Sequence, residues 1–75
     1  MDKHILETAA AAIHITPDEA AKHCKEVPQI NGWLFWDSAR GGLSILIDEK
    51  GEKLAATSAV SFDMHLKAFC AGKRN

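Results

Sequence analysis

Hydrophobic and polar positions recur with two different periods along this chain, and the changes of period divide it into elements. From Asp2 to Ile13, the apolar residues Ile5, Leu6, Ala9, Ala12 and Ile13 follow the spacing of one helix face. The alanine run from Ala9 to Ala12 favours helix, and Asp2 stands where an N-cap would. After a short link at His14 and Ile15, Thr16-Pro17-Asp18-Glu19 marks a second helix start. It combines a capping hydroxyl, a proline suited to the first turn and an acid three residues on. This helix is predicted to run through Ala20, Ala21 and Cys24 towards Val27 and to stop before Pro28. Lys22, Lys25 and Glu26 then fall on its solvated side, and the two helices make an αα-hairpin.

Short apolar runs bounded by turn residues follow. Asn31-Gly32 is a turn signal, and the aromatic run Trp33-Leu34-Phe35-Trp36 opens the first predicted strand, Trp33 to Asp37. A loop containing Arg40-Gly41-Gly42 leads to a second strand, Leu43 to Asp48, and Asp48-Glu49-Lys50-Gly51 turns into a third, Lys53 to Val60. Setting Ile47 opposite Leu54 gathers Leu43, Ile45, Ile47, Leu54, Ala56 and Val60 on one face, and this register is the one predicted. A three-residue loop with a bulge at Gly51 would slip the pairing by one residue and scatter that set over both faces. Ser61 caps a last helix whose stripe is Phe62, Leu66, Phe69 and Cys70; Gly72 ends it, and Lys73 and Arg74 suit its negative end. The order α-α-β-β-β-α predicts a single α+β domain over residues 1–75, a three-stranded antiparallel meander packed against helices.

The first strand carries the functional expectation. Side chains alternate across a sheet, so Trp33 and Phe35 point one way while Leu34 and Trp36 point the other. If all the helices cover one face, one aromatic pair is left for a surface. A chain of 75 residues buries only about 60% of its unfolded surface, so self-association would also help it. Trp33, Phe35 and Trp36 are therefore the expected partner-binding anchors, with Arg40 as a polar contact at the rim. The partner is a second copy, giving a homodimer, or another protein.

Composition narrows the classes. With 47% apolar and 25% charged residues the chain is an ordinary soluble globular protein, and a net charge of -1 gives no field to gather nucleic acid. The aromatic strand could stack bases, but the cations that would track phosphates are spread along the chain. No apolar run reaches the ~18 residues of a membrane helix, and no signal peptide opens the sequence. Two cysteines then fit reduced thiols in a cytoplasmic protein.

Candidate chemistry is sparse. His23 and Cys24 are adjacent and His65 and Cys70 lie five apart, spacings that suit no structural metal site, so neither metal nor cofactor is expected. Ser61, Asp63 and His65 share one helical turn, with the serine committed to capping. A non-catalytic interaction domain is the expectation. The alternative is a ligand-binding or catalytic domain with a shallow site near Arg40 and His65.

Overall fold

Local signals in the sequence set the helices. In the computed structural model, which describes residues 2–37, 42–57 and 59–74, α1 spans Lys3–Ala12, α2 Pro17–Lys22 and α3 Phe62–Cys70. Each starts on a side-chain cap. Asp2 accepts from the His4 N–H at 2.8 Å, Thr16 from Glu19 at 3.2 Å and Ser61 from Met64 at 3.3 Å. Both long helices end in a Schellman turn. At α1 the Ile15 N–H reaches back to the Ala10 carbonyl with His14 left-handed at φ 60, and at α3 the Lys73 N–H reaches the Ala68 carbonyl across Gly72.

The sheet differs from the predicted meander by one strand. Helix α2 stops at Lys22, and Cys24–Val27 forms β1, which pairs antiparallel with β2, Gly32–Trp36. Pro28 constrains Val27 as predicted, but an extended residue satisfies that constraint whether it ends a helix or lies in a strand. Pairing with the aromatic strand outweighs the weak helical preference of His23, Cys24 and Val27. A 3-10 turn over Pro28–Ile30 and left-handed Asn31 (φ 52) close this hairpin. Strands β3, Leu43–Asp48, and β4, Lys53–Thr57, complete a four-stranded antiparallel sheet in the order β1-β2-β3-β4. The last strand ends before Val60, which lies exposed ahead of α3.

The β3–β4 register is also corrected. Leu54 faces Leu46, and Ile47 faces Lys53. The loop is three residues long, with Gly51 at φ 88, the Gly51 N–H bonded to the Asp48 carbonyl and the Asp48 N–H to the Glu52 carbonyl. This is the bulged hairpin, whose left-handed position favours glycine. The Asp48 carboxylate fixes it, accepting from the Lys50 and Glu52 N–H groups at 2.9 and 3.0 Å.

That slip distributes the apolar residues over both faces, and the helices follow. On one face Phe35, Ile45 and Ile47 pack with Ile5, Ala9, Ile13 and Ala20 of the α1–α2 side. On the other, Val27 and Leu46 pack with Phe69, supported by Leu34, Leu54, Phe62 and Leu66. The sheet is the middle of three layers, so the expectation of one bare face does not hold.

Gly32 allows the closest approach. It is buried opposite Asp48, and a Cβ there would sit 2.6 Å from the Asp48 Cα and closer still to the Ile47 carbonyl oxygen. Gly32→Ala is expected to destabilise the protein by about 1–3 kcal/mol, since backbone must move. An unchanged urea midpoint in the variant would refute that tight approach.

Candidate functional site

Strand β2 places its aromatic residues in unlike surroundings. Phe35 is fully buried at the centre of the α1–α2 side and presents no surface in the folded chain. Trp33 lies on the same face, half-buried against that cluster. Trp36 points to the α3 side, opposite Ser44, with the His23 ring centroid 6.1 Å away. The two indoles therefore occupy opposite faces and do not make one patch. Arg40 lies outside the described residues.

The structure gives Trp33 a setting of its own. Its cross-strand neighbours are Glu26 on β1 and Ile47 on β3. At the Gly32 end of the sheet, a cleft of about 330 Å³ is lined by Trp33, Glu26, Glu49, Asn31 and Pro28. The Glu49 N–H bonds to the Asn31 carbonyl at 3.1 Å, which ties the two rims together. Glu26 and Glu49 are exposed, and the ion pair of Arg74, at 3.9 Å, is made with Glu52 and with neither of them. Glu26 is invisible as a site residue while Cys24 to Val27 is taken as helix, because only a β1–β2 pairing sets it beside Trp33. Glu49 carries no signal beyond its place in a turn.

Cations on the other face are engaged with aromatic rings. Lys25 Nζ stands 4.1 Å from the Phe62 centroid, and Arg74 Cζ stands 3.7 Å from that of Phe69. Arg74 also donates to the Phe69 carbonyl at 2.6 Å. A second cleft beside it is lined in part by Asp48, Asn31 and Cys70, but its arginine is thus committed to holding the end of α3.

Of the residues considered for catalysis, His65 and Ser61 are held by backbone contacts. His65 is buried, with Nε2 2.6 Å from the Leu54 carbonyl oxygen, and it lines neither cleft. The Ser61 hydroxyl accepts from the backbone as the α3 cap. Cys24 and Cys70 are free thiols, and no three His, Cys, Asp or Glu side chains among the described residues converge as a metal site. No helix among the described residues is long and apolar enough to cross a membrane.

Comparisons with protein-family models, with curated proteins and with solved structures gave no match. The class is thus defined by architecture alone: an α+β domain, a four-stranded antiparallel sheet between a helical hairpin and a single helix.

Proposed function

We propose that this chain is a non-catalytic protein-interaction domain whose contact surface is centred on Trp33 and its cleft. The observation that carries this reading is a half-buried indole at an open end of the sheet, flanked by exposed polar groups. Tryptophan in such a position supplies a large rigid contact and is enriched among interface anchors. Trp33 keeps the anchor role anticipated from sequence, Phe35 serves it only by fixing β2 from below, and Trp36 belongs to the opposite face. A cytoplasmic setting suits the two free thiols.

Another protein is preferred to a homodimer as the partner, because the cleft is small and acidic and two copies would meet with like charges. The test uses Trp36→Phe, which leaves Trp33 as the only indole, and the reciprocal Trp33→Phe, with sedimentation across a hundredfold concentration range as a control. The expected result is a constant monomer mass and a Trp33 emission shift with at least one class of a basic, acidic and apolar peptide panel. Trp36 emission should stay unchanged. A concentration-dependent dimer that alters Trp33 emission would replace the heterologous partner with a second copy. A Trp33 signal indifferent to every peptide and to self-association would overturn the reading.

A further inference from the structure

Building on that reading, we propose that the Trp33 cleft receives an arginine or lysine side chain from an extended segment of the partner, which adds as a fifth strand along β1. The first support is a pattern the protein already uses. On the α3 side one aromatic ring, Phe69, and one carboxylate, Glu52, together hold the Arg74 guanidinium. In the cleft an aromatic ring, Trp33, stands with two carboxylates, Glu26 and Glu49, and its lining contains no lysine or arginine among the described residues. A cation placed there gains both an ion pair and a contact with the indole face.

The second support is the strand edge beside the cleft. β1 is the outer strand of the sheet on this side, and its residues Lys25 and Glu26 are exposed. The Trp36 N–H bonds to the His23 carbonyl, which sets the alternation of the ladder. Lys25 and Val27 then exchange bonds with β2, while the backbone N–H and C=O groups of Cys24 and Glu26 turn outward. A partner strand can use those groups. Its residue opposite Glu26 projects onto the face that carries Trp33. With strands about 4.8 Å apart, Trp33 lies two spacings, roughly 10 Å, from the added backbone, so only a long side chain spans Glu26 to reach it.

The edge disfavours a second copy in this place. A two-fold pairing centred on Lys25 sets lysine against lysine, one centred on Glu26 sets glutamate against glutamate, and one centred on Cys24 runs into the end of α2. A basic extended segment meets none of these conflicts. Pro28 closes the edge after Val27, so the added strand is short.

The experiment titrates the Trp36→Phe protein with a short peptide alternating threonine and arginine, and with its glutamate and valine counterparts. Backbone amide signals of Cys24 and Glu26 are followed by NMR alongside Trp33 emission. The arginine peptide should shift Trp33, protect the two outward amides from exchange, and bind about tenfold more weakly to a Glu26→Gln/Glu49→Gln variant. Equal binding of all three peptides, or tighter binding of the glutamate or valine peptide, overturns the cationic occupant and leaves the interaction domain standing. Arginine-peptide binding that leaves the Cys24 and Glu26 amides unprotected overturns strand addition. Silence of Trp33 towards every peptide overturns the occupant, and silence towards self-association as well overturns the interaction reading.

Discussion

Phe35→Ala is expected to leave the chain without a cooperative unfolding transition. Phe35 is fully buried at the middle of β2, between Cys24 on one neighbouring strand and Ile45 on the other. Its ring underlies the packing of Ile5, Ile13 and Ala20 on the sheet, so truncation opens a cavity where both helices of the hairpin dock. Such a change costs about 3–5 kcal/mol. A chain of 75 residues has a total stability of roughly 4–11 kcal/mol, at about 0.05–0.15 kcal/mol per residue. The loss therefore takes a large share of what is present. Urea unfolding followed by far-UV circular dichroism decides the matter. With a slope of about 1 kcal/mol per molar for so small a domain, a surviving transition should fall by roughly 3 M or more. A midpoint within about 1 M of the parent would mean that the ring is an outward-facing anchor instead.

Phe69→Ala should be nearly as damaging, for a different reason. The α3 layer has a smaller core, with Val27, Leu46 and Phe69 as its buried members. Removing the largest of them again costs about 3–5 kcal/mol. The same ring is the platform for the Arg74 guanidinium, so the variant also loosens the turn that ends α3. Phe69→Leu separates the two contributions, because it retains apolar bulk and deletes the aromatic face; its loss should lie between those of the parent and the alanine variant. Circular dichroism and Trp36 fluorescence should report one coincident transition, since both layers share a single sheet. If Trp36 emission, read in the Trp33→Phe background, changed first while most helix content remained, α3 would be a separately melting layer.

How much of this architecture is legible in the sequence depends on the range of the interactions involved. The helix starts are legible because a cap lies within three residues of what it satisfies: Asp2, Thr16 and Ser61 each bond a nearby N–H. Gly72 and the Asn31-Gly32 turn are legible for the same reason. Cys24 to Val27 is not. Its strand state comes from pairing with Gly32 to Phe35, and two alanines and a lysine upstream favour continuing the helix. The β3–β4 register is hidden differently. Grouping all large apolar residues on one face presumes a half-solvated sheet, whereas this sheet is covered on both sides and needs Leu54 with Leu46. Of the aromatic cluster, Trp33 lines the cleft at the Gly32 end; its neighbour Glu26 emerges only once β1 exists, whereas Glu49 comes from the β3–β4 turn.

The Glu49-Lys50-Gly51 loop has a reach well beyond its own length. Since Leu54 is carried to the same side as Leu46, the chain leaves β4 with its grease directed towards the layer that Phe62, Leu66 and Phe69 complete. A loop one residue shorter or longer would turn Leu54 towards the helical hairpin, where Ile5, Ile13 and Phe35 already fill the space. Three residues and one left-handed glycine thereby assign the final helix to its storey of the molecule.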